Sequence, residues 1–194
     1  MKNISTRLLL TCAAIGVACG IVLLPIFGIF SSAAIAAAPL LYTVLLGFWF
    51  FGGVLMQSIT HRPGMALLTS VIAGLVIGPF TPYGFSTVLS TATVGLCQEL
   101  PFLATLYRRW PAWLFYVSNG VIGLAYAFPA QAIFASDTPD TVRFAVYPLA
   151  AASAVATTWV ARVVAKRLDR TGVTRGLMSP APQRVRAARV GAGL

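Results

Sequence analysis

Four long stretches of this chain carry no formal charge: Leu8 to Thr60, Pro63 to Gln98, Trp110 to Ser136 and Phe144 to Ala161, or 53, 36, 27 and 18 residues. In a soluble domain, runs of this length would leave broad apolar surface facing water. A bilayer core about 30 Å thick takes roughly 20 apolar residues per helix, so the runs hold about two, two, one and one spans. Composition agrees, with 58% of the 194 residues hydrophobic and 9% charged, against roughly 45–50% and about 25% in soluble domains. Little chain remains for a soluble catalytic domain. The expected fold is an all-α integral membrane protein of six transmembrane helices. Its expected division is a six-helix membrane domain over residues 1–165 and a basic cytoplasmic tail over 166–194 that is disordered at its end.

Proline, glycine and short polar clusters place the expected boundaries. They give spans at 8–24, 40–58, 65–77, 85–107, 112–134 and 145–164. The stretch with Pro25, Gly28 and Pro39 separates the first pair. His61-Arg62-Pro63-Gly64 makes a tight turn, a Pro/Gly loop follows Ile77, and Arg108-Arg109-Trp110-Pro111 closes the fourth span.

Alternating the sides of the membrane puts Lys2, Arg7, Arg62, Arg108, Arg109 and all eight basic residues from Arg162 onward on one face, and Arg143 alone on the other. Basic residues stay in the cytoplasm during insertion, so both termini are expected there. The net charge of +10 is then a record of topology and needs no nucleic acid. A cleaved signal over residues 1–38, ending at Ala34-Ile35-Ala36 or Ala36-Ala37-Ala38, is the competing reading. Its apolar run is longer than a signal core of about 7–15 residues, and its removal would leave the positive tail on the wrong side. The three cysteines, Cys12, Cys19 and Cys97, sit inside apolar segments in neither a metal nor a disulfide pattern.

Glu99 is the single acidic residue inside an expected span. An ionisable group at that depth costs roughly 2.5–3.5 kcal/mol on insertion scales, so it normally faces a polar cavity or a partner. Apart from Arg162, near the end of the sixth, no Lys or Arg lies within the spans to pair with it, and a cationic or hydrogen-bond-donating ligand suits it; packing against a neighbouring helix is the plainer alternative. Ala92 and Gly95 share its helical face and leave space beside it. Asn119 and Tyr126, seven apart on the fifth span, lie on one face, with Asn119 near the depth of Glu99. Tyr42, Trp49 and Gly53 share a face of the second span, suited to stacking on a ring, although aromatics also form interface belts. Tyr83, in the outer loop, is a lid or a belt residue. On the first span, Ala14-x-x-x-Ala18 and Cys12-x-x-x-Gly16-x-x-x-Gly20 permit close approach of another helix.

No catalytic motif stands out. Lys2 and Lys166 lie outside any GxxxxGK[ST] context, His61 outside HExxH, and no GxSxG occurs. A chain without a P-loop cannot hydrolyse ATP by that route, and the expectation is a protein that is not an enzyme and uses no cofactor.

The ordered set Gly47-Phe48-Trp49-Phe50, His61-Arg62-Pro63-Gly64-Met65-Ala66-Leu67, Tyr83-Gly84-Phe85-Ser86, Gly95, Glu99, Tyr107-Arg108-Arg109-Trp110 and Arg170-Thr171-Gly172-Val173 resembles the YkoE-type substrate-binding (S) component of energy-coupling factor (ECF) transporters. That family is linked to thiamine and hydroxymethylpyrimidine. Tyr83 stands where the family has tryptophan, Val94 replaces a glutamine, and Cys97-Gln98 replace Gly-Ala before Glu99. The resemblance implies a six-helix vitamin-binding protein that joins a transmembrane T component and two ATPase subunits. It also implies small residues of the first helix, here Ala14 and Ala18, as the docking face. Thiamine suits Glu99, since a carboxylate can pair with the aminopyrimidine and aromatic faces attract the thiazolium charge. The expected binding residues are Glu99, Trp49, Tyr42, Asn119, Tyr126 and Tyr83. The alternative is a proton-coupled small-molecule carrier in which Glu99 exchanges a proton for substrate. A third reading is a non-transport scaffold built on the first helix.

Overall fold

The computed structural model describes residues 6–29, 39–81, 83–108, 110–134 and 139–171, and among them the chain is helical with no strand. In order come α1 (Thr6–Ile29), α2 (Pro39–Leu46), α3 (Phe48–Thr60), α4 (Met65–Ile77), a 3-10 turn (Gly78–Phe80), α5 (Ser86–Ala104), α6 (Ala112–Phe134) and α7 (Asp140–Arg170). Three helical runs are long and apolar enough to cross a bilayer, Thr6–Pro25, Leu40–Thr60 and Val142–Arg170, and a shorter apolar one covers Met65–Phe80. Both proposed cleavage sites, Arg109, and everything from Gly172 onward, including most of the basic tail, lie outside the described residues.

Helices α4, bordered by Pro and Gly, and α6, bordered by Pro111 and the polar stretch from Ser136, have the bounds expected. Elsewhere the structure departs from expectation for identifiable reasons. Helix α1 continues through Pro25 to Ile29 instead of stopping at Leu24, a tolerance common in membrane helices, where neighbours re-satisfy the freed carbonyls. The second expected span is interrupted at Gly47. There Ser153 of α7 enters the backbone ladder, accepting from the Gly47 N–H at 3.2 Å and donating to the Val44 carbonyl. A Cβ on Gly47 would strike Ser153 and Thr157, so only glycine lets α7 come this close. The fourth expected span ends three residues early, at Ala104. Leu106 and Tyr107 adopt left-handed φ values of 51° and 55°, and the Tyr107 N–H returns to the Phe102 carbonyl at 2.8 Å, which closes the helix in the way a C-terminal cap does. Helix α7 outruns its apolar stretch to Arg170, passing the 165/166 boundary; Arg167 and Arg170 in its last turn suit the negative end of the helix dipole.

Helix α3 sits at the centre, packed on α1, α4, α5 and α7, while α4 pairs with α5 and α6 with α7. Its side chains Phe50, Val54 and Met56 are wholly buried with Phe102, Phe115, Leu8 and Cys12. Small residues set the spacing of the pairs. Gly95 of α5 lies against Leu67 and Ser70 of α4, where an added Cβ would meet both at 2.9 Å. Gly123 of α6 lies likewise against Ala154 of α7 at 2.8 Å. Close backbone approach of this kind drives helix association where lipid and side chains are equally apolar.

Candidate functional site

Trp49 on α3 and Tyr126 on α6 face each other with ring centroids 6.2 Å apart and planes tilted by 37°. Tyr42 of α2 stands within electrostatic reach of Tyr126 and of Tyr83, which comes from the turn after the 3-10 segment. Four of the expected site residues therefore gather at one end of the bundle. Tyr42, Trp49 and Tyr126 are half-buried there, and Tyr83 is 43% exposed. The group has aromatic faces with hydroxyl tips, a surface fitted to an organic ring that carries donors or positive charge.

Below it lies a layer of buried amides. The Gln98 side-chain amide donates to the Asn119 Oδ1 at 3.0 Å and to the Phe50 carbonyl at 3.1 Å, Asn119 donates to the Phe115 carbonyl at 2.8 Å, and Gln57 donates to the Gln98 carbonyl at 3.3 Å. Asn119 and Tyr126 are seven residues apart on α6, so the amide layer sits about 10 Å beneath the aromatic group at 1.5 Å per residue. Gly53 closes it: the Gln98 Oε1 occupies the place a Cβ at Gly53 would take. The side-chain oxygens of Gln57 and Gln98 are buried without hydrogen bonds.

Glu99 looks elsewhere. It is 4% exposed, and its Oε1 accepts from the backbone N–H of Ala66 at 2.8 Å. Ala66 lies in the first turn of α4, where backbone N–H groups lack helical partners and the helix dipole favours negative charge. The Gly64 residue before it, at φ 79°, makes the turn that brings this end of α4 under α5. Consecutive helix residues point about 100° apart, so Asn119, expected to share a pocket with Glu99, bonds its neighbour Gln98 instead. The Glu99 Oε2 is buried and makes no hydrogen bond. Tyr107, in the loop after α5, approaches this carboxylate; partial burial first, then the Glu99 charge and its hydrogen-bonding interaction with Glu99, push the phenol up to about 12.

The two small-residue patterns of α1 separate cleanly. Cys12, Gly16 and Gly20 face α4, with Cys12 Sγ 3.0 Å from Thr69 Oγ1, and an added Cβ on Gly16 or Gly20 would lie 2.8 Å from Ile72 or Val76. Ala14 and Ala18 are exposed on another face. Ala18 borders an apolar groove of about 160 Å³ formed with Cys19, Val22, Phe48 and Phe51.

Gln98 and Gln57 were missed in the sequence. Both are amides inside uncharged runs, a signal present but overshadowed by the charge next door.

Among the described residues, then, apolar helices carry an aromatic group at one end of the bundle. Residues 8–126 match the family described as the permease component of an ABC-type cobalt transport system, and the chain belongs to that family. A crystal structure of an S-component of an ECF transporter is similar over 98% of this chain and 97% of that one, with a TM-score of 0.77 and 20% sequence identity, so the two share a fold. No curated protein matches the chain significantly.

Proposed function

We propose that this chain is the substrate-binding S component of an ECF-type ABC transporter, importing thiamine or its hydroxymethylpyrimidine precursor. It works with a transmembrane T component and two ATPase subunits in the cell membrane. The carrying observation is the full-length fold likeness to an ECF S-component, and the family membership supports it. The six helical runs and the excess of basic residues on one side support six spans with both termini in the cytoplasm. A reporter fused after Thr171 is then active only on the cytoplasmic side.

For the ligand, the supporting observation is the meeting of Tyr42, Trp49, Tyr83 and Tyr126 at the end that this topology turns outward. Thiazolium or pyrimidine rings stack on such faces, and Asn119 with Gln98 would form the polar floor. In Glu99, Oε1 already accepts from Ala66 and Oε2 has no hydrogen-bond partner, so Oε2 is the oxygen more open to a ligand. The same engagement gives the proton-coupled carrier no support. The family description speaks of cobalt, but among the described residues no three His, Cys, Asp or Glu side chains come together as a metal site requires. Ala14 and Ala18, on the exposed face of α1, are the docking residues for the T component. Replacing both with leucine is expected to block assembly and spare vitamin binding.

Titration of the purified chain with thiamine, hydroxymethylpyrimidine and Co²⁺ tests the reading. Glu99→Gln is expected to weaken thiamine binding about ten- to a hundredfold, the worth of a charged hydrogen bond of roughly 1.5–3 kcal/mol. Equal losses for both organic ligands put the pyrimidine on Glu99, and a loss for thiamine alone puts the thiazolium there. Unchanged affinity leaves Glu99 as the anchor of α4 only. Binding of Co²⁺ with neither organic ligand would overturn the substrate assignment.

A further inference from the structure

A second cavity, of about 180 Å³, opens at the end of the bundle away from the tyrosines. Ser58 and His61 from the end of α3, Phe115 of α6, and Arg162, Lys166 and Asp169 of α7 line it. Its size is roughly six times the ~30 Å³ share of a water molecule in the liquid, and its chemistry is uneven. The Arg162 guanidinium lies over the rings of Phe115 and Tyr116, at 5.1 and 5.2 Å from their centroids, and donates one hydrogen bond to the Ala112 carbonyl at 3.0 Å. Stacking and that bond fix a planar fork whose other N–H groups remain available, which suits it to an oxyanion.

Lys166 follows one helical turn later on the same face. Across the cavity, the Ser58 hydroxyl is shut off from solvent and makes no hydrogen bond, an arrangement that ordinarily signals a missing partner. His61 beside it holds its proton less readily than usual, through burial first and then the Arg162 charge, against the opposing pull of Asp169. The neutral ring still donates one N–H. Arg162 and Lys166 against one carboxylate leave the cavity positive, and Asp169 already has an interaction of its own.

Donors on two helices, α3 and α7, converge on one volume from different directions. A planar carboxylate with two oxygens uses few of them, whereas a tetrahedral oxyanion uses more. We propose that this cavity binds a phosphate group, carried by an anionic lipid headgroup or as free phosphate. The charge count turns this end to the cytoplasm, where both occur.

The full-length chain, reconstituted in phosphatidylcholine discs with and without phosphatidylglycerol, tests this by native mass spectrometry for retained lipid and by calorimetry with inorganic phosphate. Phosphatidylglycerol retention, or binding of inorganic phosphate in phosphatidylcholine discs, is expected to weaken about tenfold in Lys166→Gln and in Ser58→Val. Arg167→Gln, which removes the same charge one position along α7 and outside the cavity lining, is expected to change neither. Retention that added phosphate does not displace identifies the lipid as the source, and phosphate binding with the same dependence identifies the free anion. Thermal melts of each variant confirm that it is folded; Lys166 is exposed, so its variant remains informative should Ser58→Val fail. If Lys166→Gln and Arg167→Gln behave alike for both probes, the effect is surface charge and the proposal falls.

Discussion

The aromatic group and the amide layer lie about 10 Å apart on the same faces of α3 and α6, yet they are built on opposite principles. In the amide layer the helices are tied by direct bonds: Gln98 joins α5 to α3 through the Phe50 carbonyl and to α6 through the Asn119 Oδ1, and Gly53 fits against the amide so tightly that nothing larger can stand there. In the aromatic group the rings meet at 6.2 Å and a tilt, and Tyr83 is nearly half exposed. Each bond that a buried amide makes offsets part of the cost of placing it in an apolar bundle, so these bonds serve stability, although the Gln57 and Gln98 side-chain oxygens have no hydrogen-bond partner. Aromatic rings bury well at many angles, so the upper layer is less tightly specified than the lower.

Gly53→Val is the strongest way to break this contrast. The new side chain displaces Gln98, so overpacking adds to the loss of the two amide bonds, together about 3–5 kcal/mol of destabilisation. A melting experiment in detergent is expected to show a large drop, or no folded protein. A melting temperature equal to the parent's would mean that the amide layer gives way easily and does not lock the helices.

Trp49→Ala probes the upper layer with a smaller effect of the other kind. Removal of one ring face from a cationic ligand costs about 0.5–2 kcal/mol, a two- to thirtyfold weaker thiamine affinity. The Gln98–Asn119 bonds do not involve this side chain, so stability should fall less than in Gly53→Val. A variant that loses stability without losing affinity would make Trp49 a packing residue and erase the distinction between the layers.

The two layers were unequally legible in the sequence. Tyr42, Trp49, Tyr83 and Tyr126 were readable because seven-residue spacing and outer-loop position converge on one end of a bundle whose spans can be counted from charge. Gln98 was not, because a helix tells which residues share a face but not which face a neighbouring helix will take. Glu99 drew the attention as the one acidic residue inside an expected span, and its bond to Ala66 could not be foreseen: it depends on the Gly64 turn placing the first turn of α4 beside α5. The same limit hid the break at Gly47, which is made by Ser153 more than a hundred residues later in the chain. The helix bounds of α4, set by Pro63-Gly64 and Gly78-Pro79, and of α6, set by Pro111 and the polar stretch from Ser136, agree with the sequence because their ends are local chemistry.

The smallest expected effect lies at the far end of the amide layer, where α3 terminates in His61. This residue sits at φ 47° with its ring edge-on to Trp110 at 5.3 Å. Burial and then Arg162 lower its pKa from the ordinary 6.5, while Asp169 opposes them. Because the folded state binds this proton less readily than the unfolded chain, the contribution is complete above the unfolded pKa and is lost as pH falls through it toward the folded value. Melting temperature is therefore expected to decline between about pH 7.5 and pH 5.5, and His61→Gln, which cannot titrate, to flatten that part of the curve. Asp169→Asn should steepen it by removing the one group that favours the proton, and Lys166→Gln offers a comparison that leaves Arg162 in place. A curve unchanged by His61→Gln would mean that the acid sensitivity arises elsewhere. A curve flattened by added phosphate only while Lys166 is present would join this titration to the anion cavity, since a bound oxyanion offsets the Arg162 charge that depresses the imidazole.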